Sequence, residues 1–402
     1  MFQRTPLAGA IALVMGSLAV PAVAADAQPT AKTDKLDTVV VLGTRRSDVT
    51  ALQSAAPVDV LSGEQLQQTG AADLSGALTA LSPSFSFPQS PQGAFAGSIA
   101  QGASLRGLAS DQVLVLVDGK RRHTSANITR QSLANGRGAA AVDLSLIPLS
   151  AIDHVEILRD GAAAQYGSDA IAGVINVILK HDDHGGSITS KFGEYKKGDG
   201  IQRNLSGNTG VALGDNGFIN ISAEGADNDY TNRAGKDLRP GSVGSTTYGQ
   251  RVFRQGEPAT DQGKLFLNSE YSFSDAAEFY AFGGYSKTRG ETAAFYRASN
   301  ASNNIPALNP NGYLPLIRGD VEDTSLAVGL RGLLAYDWHY DVSVNYGKNQ
   351  YQIGTETINT SLGLATPRKL TMARWSMTRS NSAWTCRGNS AWAGCRIQCR
   401  WR

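Results

Sequence analysis

Residues 159–180 read RDGAAAQYGSDAIAGVINVILK. The stretch holds an Asp-Gly pair, a run of small residues, a Tyr-Gly pair and an apolar run in 22 positions. Asp-Gly suits the positive φ angles of a tight turn, and glycine serves where backbones approach closely. With the preceding Val155–Leu158, the residues predict a strand turned by Asp160-Gly161 and one helical turn over Ala162–Gln165. A loop at Gly167 and a second strand over Val174–Leu179 follow.

The same mixed α/β character extends back to about Val58. Ser62-Gly63-Glu64-Gln65 is a capping box, and Leu74, Leu78 and Leu81 recur at helical spacing. Gln112–Lys120, QVLVLVDGK, is an apolar strand reversed at Asp118-Gly119. Further out, the chain begins as a secretory signal would. Arg4 precedes an apolar stretch from Leu7 to Val20, and Ala22-Val23-Ala24 fits a cleavage site, giving a signal peptide over 1–24. A polar lead containing Pro29 follows, then an isolated β-prone run, Thr38–Leu42. That run is either the first strand of the next domain or a segment that pairs with a partner's sheet edge.

Beyond Gly185 the apolar residues alternate with period two. Leu205, Val211 and Leu213 precede a turn at 214–217, after which Ile219, Ile221 and Ala223 return. Leu265, Leu267, Tyr271 and Phe273 meet Phe279, Ala281 and Tyr285 across a turn at 274–277. Leu326, Val328, Leu330 and Leu334 meet Val342, Val344 and Tyr346 across a turn near Asp337. Three tight turns thus alternate with long polar connections over 226–262 and 287–323. Strands of about ten residues with short turns at one end and long loops at the other point to an outer-membrane β-barrel rather than a β-sandwich. The pattern predicts seven strands between 186 and about 352.

These residues carry a family resemblance. From Asp37 to about Gly363 the chain resembles the TonB-dependent outer-membrane receptors, in which a plug domain sits inside a barrel. VEILRDGAAAQYGSDAIAGVINVILK is similar to the end of the family's plug, as are LRGL at 105–108 and VLVDGKR at 115–121. One departure is Asp160, where the family more often has glycine. The resemblance implies a mixed α/β plug domain over 58–185, followed by antiparallel transmembrane β-strands of an incomplete barrel over 186–366. It implies a TonB box at 37–43 within a periplasmic lead over 25–57. The periplasmic protein TonB would grip Asp37, Thr38, Val39, Val40 and Val41 by strand pairing. It further implies that Arg106 and Arg159 pair with barrel carboxylates. Energised uptake of a scarce nutrient follows, a ferric siderophore or similar iron complex, across the outer membrane of a Gram-negative bacterium and in contact with its lipid. The alternative is a non-functional fragment unable to close a barrel, remaining in the periplasm and degraded.

No enzyme motif competes, and no cofactor or nucleic-acid partner is expected. His181-Asp182-Asp183-His184 reads as a polar linker rather than a metal site, and Asn127-Ile128-Thr129 is discounted as a glycosylation acceptor. All three cysteines, Cys386, Cys395 and Cys399, lie near the end of the chain, which argues against a disulfide framework. Residues 367–402 hold eight Lys or Arg, no Asp or Glu and four of the five Trp. The rest of the chain has 29 basic and 35 acidic residues, a net −6. The alternation also stops after Thr366, so residues 367–402 read as an aberrant basic tail of a shifted reading frame.

Overall fold

The computed structural model describes residues 57–86, 99, 102, 104–128, 138–159, 166–334 and 338–388. The signal peptide, Thr38–Leu42, Asp160–Gln165 and Asn389–Arg402 lie outside the described residues.

The N-terminal domain is built on a five-stranded sheet. Its strands are β1 (Val58–Ser62), β4 (Val113–Val117), β5 (Lys120–Arg121), β6 (Ile152–Leu158) and β7 (Gly173–Leu179), in the order β1-β6-β7-β4-β5. β4 and β7 run parallel; the other pairs are antiparallel. Every residue of VLVLV and GVINVIL is buried, as expected for strands covered on both faces, where period-two alternation is lost. A small ladder of β2 (Phe85–Ser86) and β3 (Ser104–Leu105) stands apart.

The expected capping box is formed. Ser62 Oγ accepts from the Gln65 amide at 3.3 Å and the Gln65 side chain accepts from the Ser62 amide at 3.0 Å, starting the helix Gly63–Gln68. A second helix, Leu74–Leu81, starts at Asp73, whose Oδ1 accepts from the Gly76 amide at 2.9 Å. Leu66, Leu74 and Leu78 are fully buried against Val115, Ile157 and Val177. Each such leucine contributes roughly 1.5–3 kcal/mol of transfer free energy. Asp118 (φ 44°) and Gly119 (φ 73°) both have positive φ, the geometry of the two-residue hairpin turn expected from the sequence.

The remaining chain forms one antiparallel eight-stranded sheet in sequential order. Its strands are β8 (Gly186–Gly193), β9 (Gln202–Ala212), β10 (Gly217–Asn228), β11 (Ala259–Ser274), β12 (Ala277–Ala293), β13 (Leu316–Leu334), β14 (Trp338–Glu356) and β15 (Lys369–Gly388). β8 and β15 are its two edges, so the sheet is an unclosed barrel. Seven strands lie between Gly186 and Glu356, as the alternation predicts.

Two expectations are corrected here. Strands β11 to β14 are 16 to 19 residues long rather than about ten, and they invade the expected loops, leaving 229–258 and 294–315. Strand character also does not stop at Thr366. Lys369–Gly388 pairs with β14 from Glu356↔Lys369 to Trp338↔Gly388, so the barrel segment extends past 366 and the basic tract is an eighth strand as far as Gly388. An open sheet edge offers main-chain donors and acceptors that a following segment satisfies without side-chain alternation.

One face of the sheet is apolar and exposed: Leu265, Leu267, Phe279, Tyr285, Leu326, Leu330, Val344 and Tyr346. The opposite face buries Asn220, Ser222, Glu224, Lys264, Asn268, Ser286, Asp323 and Asn349. Apolar outside and polar inside is the reverse of a soluble sheet and matches a barrel wall in lipid. Among the described residues no helix is long and apolar enough to cross a membrane.

Candidate functional site

Strands β10 to β14 each place inward side chains on the same small domain, so the sheet must curve around it. The seam between them is the candidate site. The turn at Asp118-Gly119 starts it, because it reverses β4 into the edge strand β5 and so brings Lys120, Arg121, Arg122 and His123 to the edge of the five-stranded sheet.

Lys120 reaches Asp341 of β14 at 2.6 Å, and the Tyr280 hydroxyl of β12 donates to the same carboxylate at 2.7 Å. Arg122 and His123 both meet Asp323 of β13, at 2.5 and 2.7 Å. Asn349 of β14 closes this node, donating to Asp323 Oδ2 at 2.9 Å and accepting the Ala126 amide at 2.8 Å. The Arg122, His123 and Asp323 side chains are at most 5% exposed. Gly347 makes room for the imidazole: a Cβ there would stand 2.1 Å from His123 Nδ1. Arg121 turns the other way, to Asp169 and the Tyr166 carbonyl within the domain.

A second node lies under the 3-10 turn at Leu149–Ala151. Lys264 of β11 and Glu224 of β10 form a buried pair at 2.8 Å, and Glu224 Oε2 accepts the Leu149 amide at 3.1 Å. Ser286 of β12 donates to the Leu146 carbonyl at 2.6 Å. Apolar contact runs beside these nodes: Phe266, Tyr280, Phe282 and Ala327 of the wall join the domain core, and Ile99, Ala126 and Leu146 of the domain pack with Ile317, Val321 and Tyr351 of the wall.

The connection after β7 is pinned to the wall as well. Asn268 donates to the Lys180 carbonyl at 3.1 Å, Asn220 to the Asp182 carbonyl at 3.3 Å, and the Gly210 amide to the Gly185 carbonyl at 3.1 Å. His181 packs edge-on against Phe218 at 5.4 Å and meets Glu270 at 3.5 Å. Burial would lower its pKa, but the hydrogen bond to Glu270 and the charges of Asp118 and Glu270 raise it overall. Asp118 faces His181, Glu270 and Arg331, and its Oδ1 accepts the Leu179 amide at 2.9 Å. Burial pushes its carboxyl up to about 6. Of the motif at 181–184, only His181 takes an inter-strand ionic partner, and no group of metal-ligating side chains occurs among the described residues.

A cavity of about 30 Å³ opens on the seam between Lys120, His123, Ser325 and Asn345, enough for a water molecule. Ser325 Oγ and Asn345 Oδ1 are buried there with no protein partner among the described residues.

The two arginines expected to bridge to the wall make their described contacts inside the domain. Arg159 pairs with Asp59 of β1 at 2.6 Å, and Arg106 donates to the carbonyls of Ile171 and Ala172 at 3.0 and 3.3 Å. These described contacts are not the plug–barrel pairs expected of the two residues; each guanidinium has a partner one strand or one loop away. The bridging residues are Lys120, Arg122 and His123, flagged in sequence only by a basic run directly after an Asp-Gly turn. Asp37–Val41 lie outside the described residues.

Among the described residues the seam holds no nucleophile with an adjacent base. It combines buried ion pairs and amide contacts with two apolar clusters that cross from the domain to the wall. Attraction in such pairs offsets the cost of desolvation only while both partners are in place, so the pairs fix the register of the domain against the wall.

Comparison with known proteins agrees. Residues 50–174 match the family model of the TonB-dependent receptor plug domain. The chain is 33% identical over 236 residues to the vitamin B12 transporter BtuB of Vibrio cholerae, a match covering 58% of this chain and 33% of that protein. Its fold matches the ferric enterobactin receptor PfeA of Pseudomonas aeruginosa in complex with enterobactin, with a TM-score of 0.58 and 18% identity over 82% of this chain and 46% of that one. The siderophore receptor PirA of Acinetobacter baumannii matches with a TM-score of 0.52 and 20% identity, covering 84% and 45% of the two chains. The chain thus spans a third of the curated relative and under half of these structures.

Proposed function

Because the chain belongs to the TonB-dependent receptors, comprising the plug domain and strands of the barrel, we propose that it takes part in energised uptake of a scarce nutrient through the outer membrane. The substrate class is a ferric siderophore or similar iron complex. TonB grips Asp37–Val41 by edge pairing and pulls on the lead to β1, and the plug shifts against the wall. The observation that carries this reading is the seam itself. Its buried ion pairs and side-chain amides around Asp323, Asp341 and Glu224 hold the plug in register beside the apolar contacts, and they are the contacts whose partners water can replace as the plug shifts.

The experiment is uptake of a radiolabelled ferric siderophore by cells producing the full receptor that contains this chain, compared with a Val40→Pro variant. Proline removes a main-chain donor from the strand TonB would pair with. Uptake should fall to the unenergised background while surface binding is retained. Undiminished uptake by the variant would contradict the assignment of Asp37–Val41, and no uptake by the unaltered receptor would contradict the substrate class.

A further inference from the structure

Asn176 is the one polar residue of β7, and it is fully buried. Its Nδ2 donates to Glu156 Oε2 on β6 at 3.1 Å, and Glu156 is also fully buried. Its Oδ1 accepts the Gly119 amide at 3.0 Å, at the turn between β4 and β5. An apolar side chain would fill this place at lower cost, because two buried polar groups are tolerated only while their hydrogen bonds are made. What the pair joins explains its presence. β6 is the strand on which β1 is zipped, Val58↔Leu158 to Ser62↔His154. The turn at Gly119 carries Lys120 to Asp341 and Arg122 to Asp323. One carboxamide therefore spans β7 and ties the pulled edge of the domain to the hairpin that holds the wall.

We propose that Asn176 is a positioning residue that couples the β1–β6 edge to the plug–wall contacts. When β6 shifts, Glu156 withdraws the acceptor from Nδ2, the carboxamide turns off the Gly119 amide, and the hairpin loses the support that keeps Lys120 and Arg122 on their aspartates. This rests on the reading that the pull arrives through β1, but its test needs neither TonB nor substrate, so either can fail alone.

The test is amide hydrogen exchange on the whole 402-residue chain, read at Asp118 and Arg122, whose amides bond the Val177 and Val115 carbonyls. Val60→Pro loosens β1 from β6. In the otherwise unaltered chain it should speed exchange at both amides about tenfold, the size expected of a coupling near 1.4 kcal/mol. In an Asn176→Ala background the same change should add little. Asn176→Leu, which fills much the same space with neither donor nor acceptor, should also abolish the effect. A residue that merely packs would give uniform acceleration across β4 and β7. Should Val60→Pro prevent folding, Asp59→Ala, which frees Arg159, provides a milder perturbation of the same edge. The proposal is overturned if loosening β1 leaves Asp118 and Arg122 unaffected, or affects them equally with and without Asn176.

Discussion

Asp118 sits in a left-handed backbone position and spends its carboxylate on the Leu179 amide in a half-buried place. Burial raises its pKa from 3.8 to about 6, so the folded state holds the proton more tightly than the unfolded chain. The stability linked to that proton is fully present below about pH 3.8 and is lost as pH rises through about 6. Asp118→Asn keeps the acceptor and tolerates the positive φ. It should therefore stabilise the domain at pH 7 by on the order of 2–3 kcal/mol and make no difference below pH 4, as read from urea unfolding at the two pH values. Equal stabilisation at both would contradict the account. The Asp323 node behaves differently, because its charges are paired. Asp323→Ala leaves Arg122 and His123 buried without their partner and should cost about 3–5 kcal/mol. Adding Arg122→Ala should recover part of that loss, and strict additivity in the double-mutant cycle would show that the two side chains do not interact in solution.

Strands β12, β13 and β14 each change character at the same level. Phe279 to Tyr285, Leu330 to Leu326 and Val342 to Tyr346 present apolar outward residues, and one step further Lys287 stands directly opposite Glu322, Arg289 opposite Asp320 and Glu291 opposite Arg318. That line marks the lipid boundary. Leu330→Arg, in the middle of the apolar band, should lower the yield of membrane-inserted protein, at a cost of about 2–4 kcal/mol near the bilayer midplane, whereas Glu322→Gln should have almost none. Equal effects in a liposome-insertion assay would misplace the boundary. This level also explains what the sequence could and could not disclose. The capping box at Ser62, the turn at Asp118-Gly119 and the three tight hairpins are local codes, readable from a few neighbouring residues. The outer ends of β11 to β14 were not readable, since polar residues face both water and the interior there and the alternation disappears. Lys369–Gly388 pairs through its backbone against β14 and needs no pattern of its own. Arg122 and Asp323 lie 201 positions apart, so no spacing rule joins them; Arg106 and Arg159 lie in recognisable motifs, but their partners, 65 and 100 positions away within the same domain, were no more legible.

For the molecule as a whole, the account depends on one relation: the domain ending at Leu179 lies against the inward face of the sheet formed by 186–388. Every contact of the seam follows from it, and so does the reversal of polarity between the sheet's two faces. Zero-length carbodiimide coupling reads that relation directly, because it joins an ammonium to a carboxylate only at ion-pair distance. Lys287 and Glu322, a pair wholly within the wall, serve as the internal control, being about as exposed as Lys120 and Asp341. In the inserted chain, mass spectrometry of the digest should recover a peptide joining Lys120 to Asp341 alongside the control. Recovery of the Lys287–Glu322 product without any Lys120–Asp341 product would contradict the placement of the domain inside the wall.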